Sequence, residues 1–367
     1  MHYAVYIISI IILIIIGITY RQLRLKLMPD IGNTQDYALI FLVYVYLLAF
    51  AVFRSEVVGN DTLAYIDIFK SVAASKDFPE YSNRYEYGYL IYNKLCSLIS
   101  KNPQTVIIIT GIITTTCYII FINRYSKSIA ISLLLFIFLR FYDDTLNVLR
   151  QCLAMCVIFY SFKYLSNRNF LKFCICIILA YLFHKTSIVF ITAWWITSMK
   201  LNKRNILIFS IVAIVLSVQF GLVFQEALAI FETYSYYADG IYFGDTRFAT
   251  IINLIIQSLL FAIAYTIYNI NESRVSRNDE IMLMLWLTGI CILIVSTQFN
   301  LFDRIATYFN VFSIIALPNM LVKIKNRSNR VIIETSILIL LLSYYVVILE
   351  YRPLWNRIFP YEIASDL

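Results

Sequence analysis

The run YAVYIISIIILIIIGITY, Tyr3 to Tyr20, is almost unbroken isoleucine, and it decides which solvent this chain folds in. No basic cluster precedes it and no small-residue cleavage site follows it. It therefore reads as a retained first membrane span and not as a removed signal peptide. The rest of the chain has the same character: of 367 residues, 61% are hydrophobic and only 14% charged. A water-soluble domain with that balance could not cover its surface, so most of the surface must face lipid. A span takes about 20 apolar residues, which leaves room for about 12 of them (roughly 11–13) and little else. The expectation is an all-α polytopic membrane protein, with residues 1–367 forming a single integral membrane domain.

Candidate spans cover residues 3–20, 37–53, 104–122, 129–142, 147–165, 170–184, 186–198, 205–219, 248–269, 281–297, 305–322 and 331–350. The apolar segment 87–100 is short and carries Asn93 and Lys94 in its middle, so it reads as an interfacial or half-membrane helix. Alternate connections hold Arg21, Arg24 and Lys26; Arg124 and Lys127; Lys163, Arg168 and Lys172; Lys200, Lys203 and Arg204; Arg274 and Arg277; and Lys323 to Arg330. Together these make 17 of the 30 basic residues. The positive-inside rule makes that set cytoplasmic and places both termini outside. The large connections, 54–103 with its interfacial helix and 220–247, then lie outside as well.

Sorting the polar residues by side gives the site. Arg54, Asp61, Glu86, Arg150, His184, Asp245, Arg247, Asp303 and Arg304 all fall at or just inside the outer ends of spans. Charges at the membrane edge are costly, and a one-sided cluster of them marks a functional region. Gly59-Asn60 makes a turn, and Asp61 either caps the helix that follows or serves the site. Arg84-Tyr85-Glu86-Tyr87-Gly88-Tyr89 sets an acid among aromatics and is either an ordinary tyrosine-rich entry to the interface or a site where partial burial would raise Glu86 toward general-base duty.

Asn147-Val148-Leu149-Arg150-Gln151 opens the fifth span. At helical spacing Asn147, Arg150, Gln151 and Ala154 share one face. Arg150 keeps its charge and must meet an anion there, either Asp143 or Asp144 or a substrate diphosphate. His184, before Lys185-Thr186-Ser187, is either a satisfied hydrogen-bonding group or a base or phosphate donor. Asp303 and Arg304 precede Tyr308 by about one turn and either offset each other or serve the site. The seven cysteines sit in apolar runs; Cys152 and Cys156 lack a histidine or carboxylate at ligand spacing and read as small core residues.

Arg54 with Gly59-Asn60-Asp61 and Tyr65, Glu86-Tyr87-Gly88, Arg150-Gln151 with Ala154, His184 with Ser187, and Asp303-Arg304 with Tyr308 occur in order over residues 54–308. Together they resemble the EpsG-like branch of the Wzy-type polysaccharide polymerases, with Tyr87 where that family usually has proline. The resemblance implies a GT-C-like bundle and an inverting glycosyltransferase. Such an enzyme extends O-antigen, capsule or exopolysaccharide by moving a growing glycan from undecaprenyl diphosphate to a lipid-linked repeat unit. It implies a bacterial inner (plasma) membrane location, no cofactor and no metal. The implied partners are undecaprenyl diphosphate-linked oligosaccharides, membrane lipids and a chain-length regulator protein, with no nucleic acid. On this reading Arg150 and Arg304, helped by Arg54 and Arg247, hold the diphosphate. His184, Glu86 and Asp61 activate or orient the acceptor, and Asn147, Gln151, Asp303, Tyr308 and Tyr65 support them. An O-antigen ligase and a lipid-linked oligosaccharide flippase are the rival readings. The flippase needs a charged path to both faces, whereas the inner halves of these spans carry almost no charge.

Overall fold

The computed structural model describes residues 37–75, 78, 84–230, 248–299, 302–351, 356–359 and 361–364; for 38 and 221–230 only the backbone is described. The described residues contain no strand, only an isolated antiparallel bridge between Arg54 and Ile363. The chain forms α1 (Tyr37–Val52), α2 (Thr62–Ala74), α3 (Tyr87–Ile99), α4 (Gln104–Tyr125), α5 (Ile129–Phe138), α6 (Phe141–Asn147), α7 (Leu149–Ser166) and α8 (Phe170–Tyr181). A 3-10 helix, Lys185–Thr192, leads into α9 (Ala193–Ile196). Then come α10 (Lys203–Ile230), α11 (Phe248–Ile270), α12 (Arg277–Ser296), α13 (Phe302–Asn310), α14 (Ser313–Leu321) and α15 (Arg327–Tyr351).

Among the described residues, five helices are long and apolar enough to cross a membrane unaided: α4, the Lys203–Phe220 part of α10, α11, α12 and α15. At 1.5 Å per residue, the 22 residues of α4 reach about 33 Å, the thickness of a hydrocarbon core. Other expected spans are short or broken. The 129–142 run ends its helix at Phe138 because Arg140 adopts left-handed backbone, φ 68°. The 305–322 run is divided between Asn310 and Ser313, where Asn310 packs so closely on Gly289 that a Cβ there would lie 2.1 Å from Asn310 Oδ1. The span placed at 205–219 runs on as helix to Ile230, so the segment 220–247 begins helical. The first span at 3–20 and most of that second loop lie outside the described residues.

The helices form two compact units. One contains the described residues of Met1–Lys163, Leu171–Ile188 and Ser328–Leu367. The other contains Tyr164–Phe170 and Val189–Arg327. In the second unit α12 is the enclosed central helix, packed against α10, α11, α13 and α14. By contrast, α10 turns Leu207, Ile211, Val215 and Val218 outward. A stripe of that kind suits lipid and not water.

In the first unit, α2 and α3 form a lobe at one end of the bundle. Gln104 Nε2 donates to the carbonyls of Val52 (3.2 Å) and Arg54 (2.8 Å). The chain therefore leaves and re-enters the bundle at one level. The 13 residues of α3 reach only about 20 Å. One face of α2 packs Tyr65, Ile68 and Val72 on Tyr85, Tyr89 and Leu90 of the α3 segment and on Leu149 and Leu153 of α7. The neighbouring face sets Ile66 and Phe69 against Cys96, Val106 and Ile107. Each fully buried side chain of this size contributes roughly 2 kcal/mol where it leaves water. Lys94 closes the far end, donating to the carbonyls of Val72 and Ser75.

The C-terminal segment returns to this same end. Ser55 N donates to Glu362 O (2.8 Å), Gly59 N to Arg357 O (2.9 Å) and Ala364 N to Phe53 O (2.9 Å). Ile358 and Phe359 are buried, and the Tyr361 hydroxyl donates to Phe50 O at 2.9 Å. Nothing in the local sequence of 356–364 announces this, since the segment has neither helical nor strand periodicity.

Candidate functional site

Glu86 stands at the N-cap of α3, with φ −69° and ψ 138°, yet its side chain does not cap the helix. The carboxylate turns to three partners instead. Oε2 accepts from Arg150 Nη1 at 2.6 Å, Oε1 accepts from the Lys185 amide at 3.0 Å, and His184 Nδ1 lies 3.3 Å from Oε1. Gly88 makes this approach possible: a Cβ there would lie 2.6 Å from Leu182 O and 2.8 Å from Leu182 Cβ. With no side chain in the way, Tyr89 N reaches Leu182 O, and the start of α3 rests on the end of α8 beside His184. Tyr87 is the first helical residue and projects outward. That is the one helical position where proline is at home, so tyrosine and proline are interchangeable there.

Arg150 occupies the second position of α7, its guanidinium carbon 5.0 Å from the centre of the Tyr85 ring. Arg84 approaches the same ring at 5.5 Å, and Tyr65 also engages the Arg150 guanidinium. The Glu86 side chain is 6% exposed, against 20% for Arg150 and 13% for His184. The carboxylate is thus enclosed, with the cation and the imidazole on its open side. Burial pushes the Glu86 carboxyl upward. The hydrogen bond to His184, the Arg150 charge and the Lys185 amide outweigh it and hold the group at about 2. Burial alone would raise Glu86 toward general-base duty, whereas its three partners shift it the other way and favour the anion. His184 Nδ1 is the ring nitrogen that faces the carboxylate, an approach that favours a proton on that nitrogen.

Around this triad lies a polar scaffold. Asn147 Oδ1 accepts from the Asp61 amide at 3.1 Å, Asn147 Nδ2 donates to Asn356 Oδ1 at 3.2 Å, and Asn356 Nδ2 donates to Asp144 Oδ1 at 3.3 Å. Asp61 begins α2, but its side chain makes no capping bond. Asn147 closes α6, and Val148 leaves helical geometry before α7 starts. The single face shared by Asn147 and Arg150 is therefore interrupted, and Asn147 serves the loop while Arg150 serves the site. Gln151 is buried beside it.

Arg54 is not presented to an anion. It is 1% exposed, and its Nη1 donates to Val58 O (2.7 Å), Thr62 Oγ1 (2.9 Å) and Leu146 O (2.5 Å). Burial, only partly offset by nearby tyrosines, lowers it to about 10. Gly59, at φ 94°, lets the turn lie against Leu146 O, which a Cβ would approach to 2.5 Å. Arg54 thus fastens the lobe to the end of α6. The carboxylate that Arg150 meets is Glu86 and neither Asp143 nor Asp144. Asp143 pairs with Arg140 at 3.0 Å and accepts from the Tyr345 hydroxyl at 3.1 Å.

Asp303, Arg304 and Tyr308 belong to the second unit. Asp303 accepts from Thr250 Oγ1 at 2.8 Å and from the Ser296 hydroxyl. Arg304 is exposed and Tyr308 buried. Arg247 and Asp245 lie outside the described residues. The sequence reading missed Arg140, Asn356 and Lys185. Arg140 and Asp143 did carry a signal, opposite charges three apart in an apolar stretch; Asn356 and the Lys185 amide carried none.

Compared with known protein families, the chain matches the EpsG family model over residues 37–363. No curated protein matches it, and no solved structure does.

Proposed function

The chain belongs to the EpsG family, and from that premise we propose that it is a membrane polysaccharide polymerase. It moves a growing glycan from a lipid diphosphate, of the undecaprenyl class, to the terminal sugar of a second lipid-linked repeat unit. The reading rests on one observation, the enclosed Glu86 carboxylate held by both Arg150 and His184. The acceptor hydroxyl attacks the anomeric carbon, its proton passing to His184 Nε2, and the bond to the diphosphate oxygen breaks with inversion. The departing diphosphate takes up the negative charge, which the open side of the Arg150 guanidinium receives. Fixed positive charge aimed at a leaving group is the strongest assistance such a site offers, worth several kcal/mol of barrier. Glu86 keeps Arg150 and His184 in place and takes no proton itself. Arg84 approaches the same Tyr85 ring as Arg150, and the Lys185 amide meets the same carboxylate. Arg54 belongs to the scaffold.

In this proposal the short and broken helices complete a GT-C-like bundle of about twelve crossings. The basic connections lie in the cytoplasm, and the lobe, the C-terminal segment and the Glu86 site lie on the outer face of the bacterial inner membrane. The return of residues 356–364 to the first loop supports an outward C-terminus.

Purified protein supplied with a lipid diphosphate-linked repeat unit should give a ladder of lengthening products. A single transfer onto a lipid A core acceptor would make it a ligase, and no transfer at all a transporter. Arg150→Ala should abolish long chains while the protein still inserts. Normal chain lengths in that variant would remove Arg150 from the site.

A further inference from the structure

A second cationic feature sits in the other unit, where three basic connections converge. Arg168 lies in the turn after α7 with left-handed backbone, φ 53°. Bonds from its own amide to Leu165 O and from the Asn169 amide to Tyr164 O close that turn. Its Nη1 donates to Trp194 O at 2.7 Å, and its Nη2 donates to Thr197 O. Arg277, the first residue of α12, donates through Nη2 to that same Thr197 O. Its other arm pairs with Glu280 at 2.6 Å. A fourth connection joins alongside, with Lys323 Nζ on Arg274 O.

Two guanidinium groups sharing one carbonyl oxygen repel each other, and burial together with the Arg277 charge lowers Arg168. A carbonyl dipole offsets only part of one charge, and Glu280 offsets the other only in part, since it also accepts from the Leu201 amide at 3.1 Å. Each guanidinium has five N–H donors and spends two of them on these bonds, leaving donors for an anion. Aromatic side chains frame the pair. Arg168 lies 5.3 Å from the Trp194 ring centre, and Phe170 packs on Trp194 at 5.0 Å and on Trp195 at 6.4 Å. Trp195 and Phe170 are 58% and 45% exposed. Exposed tryptophan beside fixed cations at the end of a membrane helix marks headgroup level.

We propose that Arg168 and Arg277 bind the phosphate of an anionic glycerophospholipid, whose acyl chains lie along Phe170 and Trp195. The recognising chemistry is two planar donor forks on one phosphodiester, with an apolar strip beside them. This site is separate from the Glu86 constellation and does not depend on the activity assigned there.

Native mass spectrometry of the full chain in detergent, titrated with phosphatidylglycerol, phosphatidylcholine or inorganic phosphate, tests the proposal. Wild type should retain phosphatidylglycerol in preference to phosphatidylcholine, with inorganic phosphate failing to displace it. The Arg168→Gln/Arg277→Gln variant should lose roughly thirtyfold in affinity, two cations' worth of headgroup attraction. Glutamine keeps an N–H for the carbonyls, and thermal unfolding in lipid-free detergent checks that the fold survives. Should that variant unfold, Arg277→Lys serves instead: it keeps the charge, loses the fork, and should weaken phosphatidylglycerol severalfold. Equal retention of both lipids, unchanged affinity in a folded variant, or displacement by inorganic phosphate at lipid-like concentration would each overturn it.

Discussion

Asn147 Nδ2 donates to Asn356 Oδ1 at 3.2 Å, joining residues 209 positions apart. Through Asp61 on one side and Asp144 on the other, this bond ties the C-terminal segment to the turn that opens the α2–α3 lobe. Residues 356–359 and 361–364 are therefore a structural wall against that turn, and the consequences can be measured.

Removing the chain after Tyr351 should detach the lobe. The partners of Ser55 N, Gly59 N and Phe53 O are lost together, each costing about 1 kcal/mol, more where the group stays buried. Asn356→Leu is the milder test, with an expected loss of roughly 2 kcal/mol. Thermal unfolding in detergent reads both, and product length should fall in parallel. A truncated protein with wild-type stability and chain length would show the wall to be dispensable.

The Glu86 charge sets a pH window. Its folded value, about 2, lies below the ordinary 4.5. The stabilisation it brings is complete above pH 4.5 and drains away only as pH falls toward 2. Between pH 5 and 9 the Arg150–Glu86 pair should contribute no pH dependence to stability. Glu86→Gln removes the anion at every pH, leaves Arg150 short of its partner, and should cost roughly 3 kcal/mol. Unfolding midpoints from pH 3 to 8 for both proteins check this. Wild type should lose stability progressively below about pH 4.5 where Glu86→Gln does not, and parallel profiles for the two proteins over that range would contradict the depressed value.

Gly88 and Tyr87 should behave oppositely although they are adjacent. Gly88→Ala puts a methyl group 2.6 Å from Leu182 O, so α3 must move off α8. A shift of that kind costs roughly 1–3 kcal/mol and carries Glu86 away from His184. Polymerisation should drop at least tenfold. Tyr87→Pro, at the first helical position and facing outward, should leave both stability and activity near wild type. A tolerated Gly88→Ala would mean that the α3–α8 approach is not needed.

Arg54 should act on folding and not on substrate. Arg54→Met takes a donor from Val58 O, Thr62 Oγ1 and Leu146 O, of which Val58 O keeps the Thr62 hydroxyl, for a loss of roughly 3 kcal/mol. In whatever fraction stays folded, KM for the lipid diphosphate should be unchanged. For Arg150→Lys the prediction is the reverse. Lysine keeps the charge but not the guanidinium's reach to Glu86 Oε2 or its place over the Tyr85 ring, so kcat should fall about a hundredfold with little change in stability. A raised KM in Arg54→Met would return Arg54 to the diphosphate.

Membrane character, helical class and the alternation of basic connections were readable because each depends on composition within a single run of about 20 residues, where lipid acts on every side chain alike. The same local logic found Glu86, Arg150 and His184, since each is a polar group at the end of an apolar run. What these residues do to one another was not readable. Glu86 meets Arg150 across 64 positions and the Lys185 amide across 99. Those pairings exist only because Gly88 lets two helices touch. The direction of the Glu86 shift followed from them, since burial alone would have raised it. Arg54 looked like a ligand for an anion until packing enclosed it, and the tail of the chain looked like nothing until its backbone met the first loop. Lipid solvation acts locally and so was written in the sequence; charge pairing depends on distances that only tertiary packing sets.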